Sequence, residues 1–288
     1  MRILHFSDPH LDPDLSGVPM SEWPGKRLIG AANLLLNRRK HFDRVEEKLA
    51  ALDRFRQEQN VDLVLCTGDY SVLGTEGELK RAREVIQPLT GAPQGFITIP
   101  GNHDLYMPDT VKDQRFERIF GDLMGEGDWP RVRRFGDDIA VIGIESARPN
   151  PQPWRSSGQI PEQQLERLAR TLVLPDMERR FVFVMTHYAP RLWNGHPDSP
   201  AHGMTNAEEF LEACSAIRQG AILCGHVHSR YRVEVSGLQP QIFCAGSVSQ
   251  NRREGLWLFD IDGGSANAVP GRWNEDRYEL EADQAYGF

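Results

Sequence analysis

Along the first two thirds of the chain, short apolar runs alternate with longer stretches in which apolar residues recur every three or four positions. The short runs at 2–7, 61–66, 95–100, 139–145, 180–187 and 220–226 predict strands. In 41–59, Phe42, Val45, Leu49, Leu52 and Phe55 fall on one stripe, which predicts a helix laid against a sheet. Helices are also expected near 76–89, 112–120, 161–173 and 206–218, the last with Asn206 and Glu209 spaced as a capping box. From 231 onward the helical spacing disappears, and strands follow one another at 231–236, 240–244 and 255–261. This order points to the α/β class, with a sheet completed by local strand pairing. No Pro/Gly/Ser-rich linker divides the chain, so one domain is expected over 1–270, followed by a charged tail over 271–288 that wraps the body or frays.

Composition narrows the setting. A chain of 288 residues can bury a sizeable core, and 40% hydrophobic with 26% charged residues excludes wholesale disorder. A net charge of -8 argues against a broad nucleic-acid binder. Cys66, Cys214, Cys224 and Cys244 form no C-x-x-C pair, and three of them sit in apolar runs, as buried thiols in a reducing compartment do. Met1 leads straight into the first strand run, which leaves no room for a secretory signal. No apolar run approaches the ~18 residues needed to span a bilayer. A cytoplasmic location is expected.

The chemistry gathers where strand runs end. "HFSDPH" ends in Asp8 and His10, "LCTGDY" in Asp69, "IPGNHD" in Asn102, His103 and Asp104, "VMTHY" in His187, and "LCGHVH" in His226 and His228. Ligands of open α/β sheets bind outside the carboxyl ends of the strands, so these positions should converge. Glycines precede three of the clusters and allow sharp turns. In an extended segment, the side chains of Asp8 and His10 would face one way, as would those of His226 and His228. Imidazole and carboxylate without thiolate suit Zn, Mn or Fe. Asp8, His10, Asp69, Asn102, His187, His226 and His228 are enough for two ions that share a carboxylate. Such a pair activates water and neutralises a phosphoryl group in transfer. His103 is left over beside Asp104, and a histidine oriented by a carboxylate can protonate a leaving oxygen.

The series D-x-H, G-D, G-N-H-D, H and G-H-x-H, in this order over residues 3–250, resembles the calcineurin-like metallophosphoesterase family. The resemblance implies a four-layer α/β/β/α sandwich of two mixed sheets flanked by helices. It implies one ion, Mn, Fe or Zn, on Asp8, His10, Asp69 and His228. A second would sit on Asp69, Asn102, His187 and His226, with Asp69 bridging. By the same resemblance, a metal-bridging hydroxide attacks phosphorus, His103 assists the leaving group, and Asp104 holds His103. Relatives with this G-N-H-D and G-H-x-H spacing resemble phosphodiesterases, so a cyclic nucleotide or another small phosphodiester is the expected substrate.

Several residues fall outside the shared pattern. Pro9 should bias Asp8 toward extended geometry. Tyr70 stands where an aliphatic residue is common, and Tyr188 where many relatives carry a second histidine; both are expected to line the pocket. His196 and His202, in the loop after His187, are candidate substrate contacts. His5 belongs in the core or behind the ligands, and His41 at the surface. The segment 23–42, cationic at both ends around Leu28, Ile29, Leu34, Leu35 and Leu36, reads as an insertion near the site entrance. It would serve as a lid, a homo-oligomer contact, or an interfacial helix touching a membrane. Its resemblance to a lid of UDP-diacylglucosamine pyrophosphatases makes lipid pyrophosphate hydrolysis one alternative, and a non-catalytic metal-binding scaffold is another.

Overall fold

Strands with both faces buried organise this protein. The computed structural model describes residues 1–11, 23, 26–33, 41–150, 152, 154–263 and 265–288. In chain order the elements are β1 (Arg2–Phe6), α1 (Lys26–Asn33), α2 (Val45–Glu58), β2 (Leu63–Cys66), α3 (Glu76–Val85), β3 (Phe96–Thr98), α4 (Pro108–Lys112) and α5 (Arg115–Phe120). They continue with β4 (Arg131–Phe135), β5 (Ile139–Gly143), α6 (Glu162–Leu172), β6 (Phe181–Met185), α7 (Ala207–Cys214) and β7 (Gly220–Cys224). The last are β8 (Arg230–Val233), β9 (Gln241–Ala245), β10 (Leu256–Asp262), β11 (Ser265–Asn274), β12 (Arg277–Leu280) and β13 (Tyr286–Gly287).

Two mixed sheets result. The first runs β12-β11-β10-β1-β2-β3, with β13 also on β11; β1, β2 and β3 are parallel and the rest antiparallel. The second runs β4-β5-β6-β7-β9-β8, parallel from β5 through β9 and antiparallel at both edges. Alternate residues divide between two cores. Ile3, Leu63, Leu65 and Ile97 pack against Phe181, Phe183, Leu223 and Phe243 between the sheets. Leu4, Phe6, Val64, Val184 and Ile222 face the helices instead. Because each central strand must be apolar on both faces, it reads in sequence as a continuous apolar run. The four-layer α/β/β/α expectation is met.

The details depart from the pattern reading at several points. The stripe of α2 is buried as expected, at Val45, Leu49, Leu52 and Phe55, but the helix begins only after Arg44, which adopts φ 54°. The helix expected over 112–120 is interrupted at Gln114 (φ 47°) and becomes α4 and α5. Asn206 does not cap α7; its amide is committed to Ile160, accepting from the backbone N at 3.1 Å and donating to the carbonyl at 2.8 Å. A capping box forms instead at α3, between Thr75 and Glu78. Glu78 also accepts from the backbone of Val72 (2.9 Å) and Leu73 (3.0 Å), so the cap stiffens the loop leaving Asp69. Residues 271–288, expected as a tail, lengthen the first sheet as the end of β11 and as β12 and β13. Pro270 is tolerated inside β11 because β12 pairs only from Gly271 onward and β13 only as far as Ala268.

Within the segment 23–42, α1 is helical; Leu34, Leu35 and Leu36 lie outside the described residues. Arg27 fastens it to Leu73 O (3.1 Å) and Asp109 (2.9 Å), while Leu28 and Ile29 remain 58% and 54% exposed. The carboxyl ends of β1, β2 and β3 in one sheet, and of β6 and β7 in the other, deliver the motif residues to one edge of the sandwich.

Candidate metal centre

The ligand segments are not extended. Asp8 (φ 53°), His10 (φ 38°), Asp69 (φ 65°), His226 (φ 70°) and His228 (φ 49°) all adopt left-handed backbone conformations. The expectation that Pro9 keeps Asp8 extended, and that period-two geometry aligns each pair, is therefore overturned. Each such residue costs about 1–3 kcal/mol and persists only where its surroundings over-determine it. Here the segments pin one another. Asp8 N donates to Gly68 O (3.0 Å), His10 N to Asp69 O (3.0 Å), and His226 N to Asp8 Oδ2 (3.0 Å). Ser247 Oγ donates to Asp8 O at 2.7 Å. Of the three glycines, only Gly68 uses its conformational freedom (φ 95°). Gly101 and Gly225 serve close approach: a Cβ on either would lie 2.0 Å from Asp69 Oδ1 or from Ser7 Oγ, respectively.

Two groups of donors result, Asp8 with His10 and His228, and Asp69 with His187 and His226. In the first, His228 Nε2 is 3.0 Å from His10 Nε2 and 3.1 Å from Asp8 Oδ1. In the second, His187 Nε2 is 3.3 Å from Asp69 Oδ2, and Asn102 Oδ1 is 3.0 Å from His187 Nε2 and 2.8 Å from His226 Nδ1. Asp69 Oδ2 also lies 3.7 Å from His10 Nε2, so one oxygen is within reach of both groups.

The remaining ring nitrogens decide what the site can hold. His10 Nδ1 meets Ser71 O (3.1 Å), His187 Nδ1 meets Thr67 O (2.7 Å), His226 Nε2 meets His202 O (3.0 Å), and His228 Nδ1 meets Gln250 Oε1. Carbonyl oxygens only accept, so each of these nitrogens carries a proton, and whenever the ring is neutral its lone pair turns inward. The lone pairs of His10 and His228 then face each other, beside an Asp8 Oδ1 that is buried without a hydrogen-bond partner. Lone pairs and carboxylates converging in this way fit cations.

Charge follows the same logic. Burial opposes ionisation of Asp69, but His187 and then His103 hold its carboxyl well below the usual carboxylate range. Burial likewise works against a charged His187, yet Asp69 lifts it to about 9. Burial, then His187, pushes His226 well below the usual imidazole value.

The sequence model for "Calcineurin-like phosphoesterase" matches residues 1–230. This chain belongs to the calcineurin-like phosphoesterase family. It is 24% identical over 228 residues to the 3',5'-cyclic adenosine monophosphate phosphodiesterase CpdA of Pseudomonas aeruginosa, covering 79% of this chain and 74% of the relative. It is 28% identical over 197 residues to a probable cyclic nucleotide phosphodiesterase of Synechococcus sp., covering 67% and 68%. Among solved structures, a dimetal phosphatase from Danio rerio superposes with TM-score 0.66 at 13% identity over 97% of this chain and 98% of that one. The purple acid phosphatase PPD1 of yellow lupin superposes with TM-score 0.63 at 10% identity, over 99% and 53%. Family membership implies a metal-dependent phosphoester hydrolase, and the two donor groups are arranged as a dinuclear centre would require.

In this metallophosphoesterase, His103 lies beside the first group. Its ring meets His10 edge-on (centroids 5.1 Å) and stacks on Tyr106 (5.6 Å), its Nδ1 meets Val72 O (2.7 Å), and its backbone N donates to Asp69 Oδ1 (2.8 Å). Asp104 does not hold that ring. Fully buried, it accepts from the backbone N of Asp69 (2.9 Å), Tyr70 (3.0 Å), Ser71 (3.0 Å) and Gly101 (2.9 Å), and so clamps two ligand loops together. Burial, then Asp69, pushes its carboxyl up to about 7. His5 is buried behind the site, with Nε2 3.1 Å from Thr67 Oγ1 and burial lowering it to about 3; His41 is exposed.

A cavity of about 520 Å³ opens over Asp69, Asn102, His103, His226 and His228. His202 lines it, its ring 4.2 Å from that of His226 and its Nδ1 on Asp198. The other expected pocket residues are not brought there. Tyr70 is buried against Phe120, with its hydroxyl 2.7 Å from Thr98 Oγ1. Tyr188 is buried behind His226, its ring 4.2 Å away and its hydroxyl on Ser156 O. His196 is exposed in the turn beyond Trp193. Long apolar bodies make both tyrosines core residues once the motif turns bring them inward. Sequence reasoning missed Trp193, Asp198, Gln250 and Arg253, which also line the cavity. Gln250 and Arg253 follow β9 without any motif, and in the loop holding Trp193 only the histidines drew notice.

Proposed function

We propose that this enzyme hydrolyses a small phosphodiester, of the cyclic nucleotide kind or similar. The observation that carries the reading is the shared Asp69 oxygen between two donor groups at the floor of a cavity sized for a small ligand. Asp8, His10, Asp69 and His228 would hold one Mn, Fe or Zn ion, and Asp69, Asn102, His187 and His226 the second. Two such ions supply water activation and charge neutralisation at phosphorus. The protein's own groups do the rest. The backbone carbonyls behind His10, His187 and His226, with Gln250 behind His228, fix each ring's tautomer. His103 stands ready to give a proton to the leaving oxygen. Both curated relatives are named as cyclic nucleotide phosphodiesterases, which favours a diester over a monoester. The four buried free thiols fit a reducing, cytoplasmic setting.

The test is turnover of bis(p-nitrophenyl) phosphate against p-nitrophenyl phosphate by metal-stripped protein reloaded with Mn. Preference for the diester is expected; preference for the monoester would replace the reading with a phosphatase.

A second reading, hydrolysis of a lipid-linked pyrophosphate, draws on exposed Leu28 and Ile29 in the helix that packs near His103. Lys26 of that helix lies 4.5 Å over Tyr106, the ring on which His103 stacks. Activity that appears only with lipid–detergent micelles would select it.

A further inference from the structure

Beyond the metal ligands, the cavity holds one large aromatic side chain that the fold does not use. Trp193 is 63% exposed and belongs to none of the apolar cores among the described residues. Its backbone is nonetheless tightly braced. Leu192 N donates to His196 O (2.8 Å) and Gly195 N to Leu192 O (2.9 Å), which closes a turn around it. Tyr231 Oη donates to Arg191 O at 2.7 Å, and the buried Arg191 is itself tied to Glu208 at 2.6 Å. The indole meets Tyr231 only edge-on, with centroids 6.5 Å apart. An exposed indole carried on a braced backbone at the cavity wall is placed to stack on a flat ligand group.

We propose that Trp193 is the stacking platform for the base of a nucleotide diester substrate. The proposal rests on the phosphodiester reading above and names the substrate class. The rest of the cavity selects among apolar ligands. Asp198, His202, Gln250 and Arg253 line it with Trp193. An acyl chain would strip water from these groups without replacing their hydrogen bonds, whereas a base offers a polar edge along with its π face. Base–aromatic stacking contributes about 1–3 kcal/mol, which corresponds to a change of about 5- to 150-fold in binding.

The experiment compares wild type, W193A and W193F, each metal-loaded to the same measured content. The substrates are cyclic AMP and glycerophosphocholine, a diester without a planar group. In W193A, the ratio of kcat/KM for cyclic AMP to that for glycerophosphocholine should fall about 5- to 150-fold, mainly through KM, and W193F should restore most of it. 5'-AMP should quench indole emission of wild type and not of W193F. An unchanged ratio, or quenching that survives in W193F, overturns the platform. If wild type cleaves neither of these diesters nor bis(p-nitrophenyl) phosphate, the phosphodiester reading falls. In that case quenching lost in W193F still upholds base stacking, and no quenching in wild type removes both.

Discussion

Replacing Gly225 by alanine probes how tightly the metal-site loops are fitted. A Cβ at this position would sit 2.0 Å from Ser7 Oγ, 2.4 Å from Asp8 Oδ2 and 2.7 Å from Ser7 Cβ. Real Cβ contacts do not fall below about 3 Å, so β1's exit and β7's exit must separate by roughly 1 Å. Neither can give way cheaply. Ser7 and Asp8 are fully buried, Val248 N donates to Ser7 O (2.8 Å), and His226 N donates to Asp8 Oδ2 (3.0 Å). Overpacking of this kind costs about 1–3 kcal/mol, and here it moves Asp8 against His228 at the same time. At about 2–4 °C per kcal/mol, G225A should unfold roughly 2–12 °C below wild type. It should also bind less than the full complement of metal. Gly77, in the first turn of α3, supplies the contrast, because nothing lies within 4 Å of an added Cβ. G77A should be stabilised by about 0.5 kcal/mol, with metal content unaltered. Thermal unfolding and elemental analysis of the three proteins decide the matter. A G225A protein with wild-type melting and full metal would refute the close-approach argument.

Asp69→Asn should abolish turnover and lower metal content at both positions, since its Oδ2 faces both groups; retained activity with two ions bound would exclude a shared carboxylate. Because Asp69 holds His187 protonated up to about pH 9 in the cation-free site, and a metal needs the neutral ring, loading at pH 7.5 should release a proton. Apparent affinity should then fall about tenfold per pH unit below 9, as read by calorimetry in buffers of differing ionisation enthalpy. Glu145, buried and then repelled by Glu117, is raised from 4.5 to about 7. Between these values the folded protein binds the extra proton, so Glu145's contribution to stability is greatest below about pH 4.5 and declines as pH rises through 7, by at most about 3 kcal/mol. Glu145→Gln should flatten that slope in urea titrations; an identical slope would show that other groups set it.

The fold class was legible because a four-layer sandwich buries its central strands on both faces, and continuous apolar runs follow directly from that. β4 escaped notice, since Arg131, Arg133 and Arg134 mask its alternation, and β11 escaped because Pro270 and Gly271 read as a break. The seven candidate ligands stood out in the sequence for a chemical reason. Metal-binding side chains are few in kind, and they recur at the ends of strands that the topology must bring to one edge. What the sequence could not determine was how each side chain is aimed. Left-handed turns at Asp8, His10, Asp69, His226 and His228, and the redirection of Asp104 from His103 to four backbone N–H groups, arise from contacts between loops far apart in the chain. Tyr70 and Tyr188 went inward, and Trp193 stayed on the cavity wall, for the same reason. Composition and periodicity establish which residues can bury or bind, but burial and direction at a given site are properties of the neighbours that tertiary packing supplies.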